Sequence, residues 1–171
     1  SNLSMIGVLR TRTGLANLDL PVEAQWEFAA RAGDYVHDLY NGYNLTNGEF
    51  GDDYIDKIAW HPGNSATNGF TQSSHPVGGK LPNAYGLYDM LGNVWEATRD
   101  WYQEVLDGTV DPNVGPLQDT SKPWRVFRGG SIAEGVNWCR SASRGPKIPD
   151  QKNNTSDKYD YGFRVALTVT P

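Results

Sequence analysis

The sequence predicts an α+β fold that contains little regular secondary structure. Its 171 residues include 19 glycines and 10 prolines, which interrupt helices too often for a helical bundle. Two stretches show helical patterning, and two others are rich in β-branched and aromatic residues. The chain also holds 6 tryptophans, 9 tyrosines and 5 phenylalanines, which are large enough to order irregular segments when they are buried.

Two segments carry the helix signals. Residues 3–13 combine spaced apolar residues with arginines near the C-terminal end, a pattern typical of a short helix. Residues 21–33 give the clearest pattern, because Pro21 suits the first turn and apolar residues recur on one helical face. Gly33 is a natural stop signal. The sequence therefore predicts one helix in each segment.

The strand signals lie in the second half of the chain. Residues 124–131 predict a strand that ends in a Gly-Gly turn, and residues 161–169 predict a final strand. A polar, turn-rich loop over 132–160 lies between them. Residues 34–80 show no sustained period, and we expect their aromatic rings to hold an irregular segment against the core.

Composition excludes several classes of function. The formal net charge is -5 and lysine and arginine form no cluster, which argues against a nucleic-acid partner. No apolar run reaches the roughly 18 residues of a membrane span, and no signal peptide is visible, so the compartment stays open. The single cysteine, Cys139, excludes an internal disulfide and a cysteine-rich zinc site.

A short loop between two carboxylates is the first candidate site. Asp89 and Glu96 flank a glycine-containing segment that could point carboxylate and backbone carbonyl oxygens at one centre, through Gly92 and Val94 among others. Hard oxygen ligands of this kind suit calcium. The alternative is that Asp89 caps a turn and Glu96 pairs with an arginine such as Arg99. Spacing alone leaves both open.

Four blocks of sequence together resemble the formylglycine-generating enzyme and sulfatase-modifying-factor family. The resemblance runs from about residue 3 to residue 167. The blocks are LPVEAQWEFAARAG (20–33), HPVGGKLPNAYGLYDMLGNVWEATRDWY (75–102), RVFRGGS (125–131) with CRSASR (139–144), and GFRVA (162–166).

The family implies a variant of the C-type-lectin fold, in a single domain over 1–171. Its full domain carries strands before the first helix of this chain, so the resemblance predicts that an N-terminal part is missing here. It also implies a structural calcium ion, with side-chain oxygen from Asp89 and Glu96 and backbone carbonyls from Gly92 and Val94. We therefore expect calcium as the cofactor.

The cysteine count bears on the reaction of the family. Its oxidases use two cysteines five positions apart in the loop after RGGS, bind copper(I) as thiolates, and convert a substrate cysteine to formylglycine. The second position matches Cys139 and the first falls on Glu134. A carboxylate is a hard ligand and replaces a thiolate poorly, which argues against copper. We expect Cys139 to be a small buried residue, catalytic only if the chain is an enzyme.

A ligand surface is predicted around the same loop. Trp95 and Ser131 match positions that line the substrate pocket of the family, whereas Ala97 replaces a second tryptophan of that pocket. The alternative for Trp95 is core packing. Loop 132–160 mixes aromatic and adaptable polar residues and resembles the ligand face of variable proteins diversified by retroelements, or else is an ordinary solvated loop. The predicted ligand-binding residues are Trp95, Ser131, Glu134, Asn137, Trp138, Arg140 and Arg144.

These observations predict a non-catalytic module that binds a protein or a small-molecule ligand. The alternatives are a copper-dependent oxidase that forms formylglycine in sulfatases, or another enzymatic paralogue.

Overall fold

The computed structural model describes residues 4–46, 51, 53–66, 72–104, 106, 123–147 and 160–167. Within these residues, two short helices and six strands are joined by irregular segments, as the sequence predicts for an α+β fold with little regular secondary structure. In chain order the elements are α1 (Met5–Thr13), β1 (Leu18–Asp19), α2 (Glu23–Arg31), a 3-10 turn (Ile55–Lys57), β2 (Trp95–Trp101), β3 (Arg125–Arg128), a 3-10 turn (Val136–Trp138), β4 (Arg144–Lys147), β5 (Tyr161–Gly162) and β6 (Ala166–Leu167).

Both predicted helices are present, and local signals fix their ends. Ser4 caps α1, because its Oγ accepts a hydrogen bond from the Gly7 amide at 3.1 Å. The helix stops at Gly14, whose φ of 71° is left-handed. At the start of α2 the Glu23 amide donates to Asp100 Oδ2 at 2.5 Å, a cap supplied by β2 that local sequence does not reveal.

The main sheet has the strand order β4-β3-β2-β5, and a second, two-stranded sheet pairs β1 with β6. Strands β2, β3 and β4 are antiparallel neighbours, whereas β5 runs parallel to β2. The single strand predicted over 161–169 is wrong within the described residues. Residues 161–162 pair with β2 and residues 166–167 pair with β1, and Arg164 between the two short strands binds Glu96.

The two faces of the main sheet have different neighbours. On one face, which we call the α2 face, Glu96 accepts a hydrogen bond from Trp26 Nε1 at 2.6 Å, and Arg144 Nε lies 2.5 Å from Glu23 Oε1. On the other, the Trp95 face, Lys147 Nζ lies 5.9 Å from the centre of the Trp95 ring. Because side chains alternate along a strand, Arg144 and Lys147 of β4 lie on opposite faces of the sheet.

The core draws on helix α2 and on the irregular segments. Aromatic side chains order the described part of 34–80, as predicted: the Tyr40 hydroxyl donates to the carbonyls of Ile58 and Leu81, and the Trp60 and His75 rings stack at 3.7 Å. None of the described helices is long and apolar enough to cross a membrane. The fully buried apolar core includes Trp26, Ala30, Leu39, Ile55, Met90, Leu91, Val136 and Cys139.

Candidate functional site

Glu134, the residue that the resemblance matches to the first cysteine of the oxidases, forms an ion pair. Glu134 Oε1 lies 2.9 Å from Lys147 Nζ, and Glu134 Oε2 accepts a hydrogen bond from Trp95 Nε1 at 3.2 Å. Burial favours a lower pKa for Lys147, but hydrogen bonds to Tyr161 and Glu134 outweigh it and raise that pKa. The ammonium group of Lys147 is therefore charged at neutral pH, and the Glu134 carboxylate is fixed by two donors.

Two tryptophans form the aromatic part of this site. The Trp95 side chain is fully buried, and Trp138 contacts it edge-on, with ring centres 5.8 Å apart. Trp138 keeps 43% of its surface exposed. The Trp95 ring therefore lies in the interior, behind the exposed ring of Trp138. Its place in a ligand pocket stays a prediction.

Ser131 lies deeper, in a buried polar pair with Asp160. Its Oγ donates to Asp160 Oδ2 at 2.7 Å and accepts from the Ala133 amide at 3.1 Å. Both side chains are buried, and burial raises the pKa of Asp160 despite the bond from Ser131. Asp160 also holds the start of β2, because its backbone carbonyl accepts a hydrogen bond from the Trp95 amide at 2.7 Å.

Cys139 is a core residue, as predicted. It is fully buried beneath the site, and its Sγ lies 3.9 Å from the Ser131 carbonyl oxygen. Burial, helped by the charge of Glu134, raises the pKa of the Cys139 thiol to about 12. Its sulfur is therefore a protonated thiol at neutral pH, and it is the only sulfhydryl of the chain.

The remaining predicted ligand residues divide between the two faces. Asn137 and Arg140 are exposed next to Trp138, and Arg140 Nε donates to the Asn137 carbonyl at 2.8 Å. Arg144 instead lies on the α2 face, where it pairs with Glu23. The structure therefore separates Arg144 from the other predicted residues. The described part of loop 132–160 is 132–147 and 160; its middle lies outside the described residues.

Two residues of the site, Lys147 and Asp160, are absent from the ligand residues that the sequence predicts. Lys147 is visible in the loop sequence, but only its strand register shows that it faces Trp95 and Glu134. Asp160 belongs to no motif and meets Ser131 across 29 positions of sequence. Their roles come from pairing between distant segments.

The four predicted calcium ligands line one cavity of about 460 Å³ on the edge of the sheet. Asp89 Oδ2 accepts from the Gly78 amide at 2.6 Å. Glu96 is bridged by Arg164, whose Nε and Nη2 lie 2.5 and 2.6 Å from its two oxygens. The arginine that pairs with Glu96 is thus Arg164, whereas Arg99 lies 3.5 Å from Asp19.

The oxygen ligands in this cavity fit calcium only if the ion shares the Glu96 carboxylate with the Arg164 guanidinium. Among the described residues, no three side chains of His, Cys, Asp or Glu are grouped to hold a metal ion. An ion in this cavity would therefore depend on Asp89, on a shared Glu96 and on the carbonyls of Gly92 and Val94. Calcium binding stays a prediction.

The comparisons with known proteins agree with the motifs. The family described as the sulfatase-modifying factor enzyme 1-like domain matches residues 9–169. This chain belongs to that family. The formylglycine-generating enzyme of Mus musculus is 34% identical over 157 residues, which cover 89% of this chain and 40% of the relative. The inactive C-alpha-formylglycine-generating enzyme 2 of Mus musculus is 33% identical over 160 residues, which cover 88% and 43%.

Among solved structures, the one named Treponema denticola variable protein 1 superposes with a TM-score of 0.63 at 32% sequence identity. The match covers 88% of this chain and 47% of that protein. The chain spans less than half the length of each of these three relatives. The fold is therefore that of the formylglycine-generating-enzyme family.

Proposed function

We propose that this chain is a non-catalytic binding module of the family, with its ligand surface around Trp138 on the Trp95 face. The observation that carries the proposal is the ion pair between Glu134 and Lys147, at the position of the missing cysteine. A carboxylate bound by an ammonium group and an indole N–H is neither soft nor available to copper(I).

The buried thiol supports the same proposal. Copper(I) prefers thiolate ligands, and thiolate formation at Cys139 is opposed by full burial and by the neighbouring carboxylate of Glu134. Gly130 packs directly against the sulfur, since a Cβ atom at Gly130 would lie 2.8 Å from Cys139 Sγ. Oxidase chemistry thus lacks both ligands.

The exposed part of the site favours a protein ligand over a small molecule. Trp138, Asn137 and Arg140 form the rim, and tryptophan and arginine are enriched where proteins bind proteins. Trp138 rests on the rigid Trp95 ring, so little freedom would be lost on binding. The relative named as a variable protein supports a diversified loop 132–160 as part of this proposal.

Turnover is tested with copper(I), oxygen and a cysteine-containing peptide of the sulfatase type, followed by mass spectrometry. We expect the peptide to remain unchanged while a formylglycine-generating enzyme with both cysteines converts it. Conversion by this chain, abolished in Cys139→Ser, would overturn the proposal.

Binding is tested by selecting a displayed library of linear peptides on the immobilised chain. We expect enriched peptides to bind Trp138→Ala at least tenfold more weakly, since an exposed tryptophan at an interface is a typical energetic centre. The matched control is Tyr85→Ala, which removes another half-exposed ring next to Phe28 of α2. Equal loss in both variants, or no enrichment, would contradict a ligand surface at Trp138.

A further inference from the structure

A second cavity, of about 280 Å³, lies on the α2 face and is separate from the Trp138 surface. Its apolar walls come from Phe28, Tyr35 and Leu106, all of them exposed, and its charged lining includes Glu27, Arg31 and Arg144. The cavity is therefore small, open to solvent and built from both ring and charged groups.

The charged groups of this cavity form one continuous network. Arg144 bridges Glu23 with its Nε and Nη2 at 2.5 and 2.9 Å. One turn along α2, Glu27 accepts from Arg31 Nε at 2.8 Å and from the buried Arg128. All four carboxylate oxygens are thus engaged by guanidinium groups.

Among the described side chains, the network joins three guanidinium groups, of Arg31, Arg128 and Arg144, to two carboxylates. The charged groups that act most strongly on Arg128 belong to this same cluster. Arg128 is fully buried, and its Nε has no hydrogen-bond partner among the described residues. A surplus charge at low dielectric is costly, and an anion next to it would lower that cost.

Arg31 is the guanidinium placed to bind such an anion. Its Nε donates a hydrogen bond to Glu27, and its Nη1 donates a long one, of 3.4 Å, to the Asp34 carbonyl. Its Nη2 makes none of the described hydrogen bonds. The side chain lines the cavity and is 14% exposed. A planar fork of this kind recognises a carboxylate.

We propose that this cavity binds a small aromatic monocarboxylate, with its carboxylate on Arg31 and its ring between Phe28 and Tyr35. The size fits, because a cavity of about 150 Å³ accepts one benzene ring, and the remaining volume accommodates the acid group. The same chemistry occurs in a free acid and in a C-terminal aromatic residue of a peptide.

The experiment is a titration of the isotopically labelled chain, with amide chemical shifts as the readout and benzoate as the probe. We expect saturable shifts in 23–35 and 141–147, and none with benzamide, which has the same shape without the charge. A peptide ending in phenylalanine, compared with its C-terminal amide, separates the second source from the first. Absence of saturable benzoate shifts, or equal shifts with benzamide, would overturn the proposal.

Two variants locate the site. Ala24→Leu fills the cavity from an α2 position that favours helix, and Arg31→Met removes the anchor; each should weaken benzoate binding at least tenfold. Thr11→Leu on exposed α1 is the matched control and should bind normally. Trp138→Ala should also bind benzoate normally, so failure here and failure of the proposed ligand surface are distinguishable. Unchanged affinity in both Ala24→Leu and Arg31→Met would contradict the assignment.

Discussion

At the scale of single residues, the site is governed by buried charge. Glu134 and Lys147 form an ion pair beside Trp95, whereas the buried side chain of Asp160 accepts a hydrogen bond from the Ser131 hydroxyl, and its Oδ1 has no side-chain or backbone partner among the described residues. A buried carboxyl with one donor is more easily protonated than one in water. Asp160 therefore carries a cost at neutral pH that the paired residues do not.

The cost of Asp160 predicts a pH dependence. Its pKa is raised above the ordinary 3.8, so the folded state binds the proton more tightly and the stabilising contribution is present below that value. This contribution is lost as the pH rises through the raised pKa. We therefore expect Asp160→Asn to become more stable relative to the parent chain as the pH rises from acid to neutral, because only the parent loses this contribution; the difference in free energy of unfolding, variant minus parent, should increase.

Urea unfolding of both proteins over that pH range measures the difference. Asp38→Asn is the control, because Asp38 lies in a half-exposed pair with Arg140. A difference that is constant with pH, or that changes equally in the control, would contradict a raised pKa at Asp160.

At the scale of elements, the loop before β2 holds its shape through left-handed residues. Asp89, Gly92 and Asn93 all have positive φ, and Gly92 bridges to Trp60. A Cβ atom at Gly92 would collide with the Trp60 carbonyl oxygen. The close approach of two backbones therefore requires glycine at this point.

Gly92→Ala should cost about 3 kcal/mol or more, since backbone collision adds to the left-handed strain of roughly 1–2 kcal/mol. The matched control is Gly86→Ala: its φ is 77°, and its Cβ would meet nothing within 4 Å. Thermal or urea unfolding should show the strain alone at Gly86. Similar losses in the two variants would show that the Trp60 contact is unimportant.

Calcium at the same loop is a separate proposal. If an ion binds at Asp89 and Glu96, millimolar calcium should raise Tm relative to chelator. The gain in free energy of unfolding is about 2.7 kcal/mol at a hundredfold excess of calcium over Kd. Asp89→Ala and Glu96→Ala should each remove most of that gain. Glu96→Ala should also lower Tm in chelator, because it removes the partner of Arg164 and Trp26.

Differential scanning calorimetry of the three proteins, in chelator and in calcium, distinguishes the two effects. Magnesium at the same concentration is the control, since it demands a tighter octahedral shell. Coincident melting of the parent chain in calcium and chelator would refute the site.

At the scale of the whole molecule, local patterns predicted the elements, while distant pairings set their neighbours. Helix periodicity located α1 and α2, and the single cysteine was correctly placed in the core. Arg164 could not be assigned to Glu96, because the two are 68 positions apart. Arg144 is predicted as a ligand residue together with Trp95, but it lies on the α2 face, because only strand register reveals which face of the sheet a side chain occupies.

The segment 160–167 contributes a strand to each of the two described sheets. It pairs with β1 and β2, binds Ser131 through Asp160, and bridges Glu96 through Arg164. During translation these eight residues leave the ribosome after all the partners they join. Of the described strands, β5 and β6 are therefore synthesised after all the others, and β5 completes a sheet whose central strands precede it in the chain.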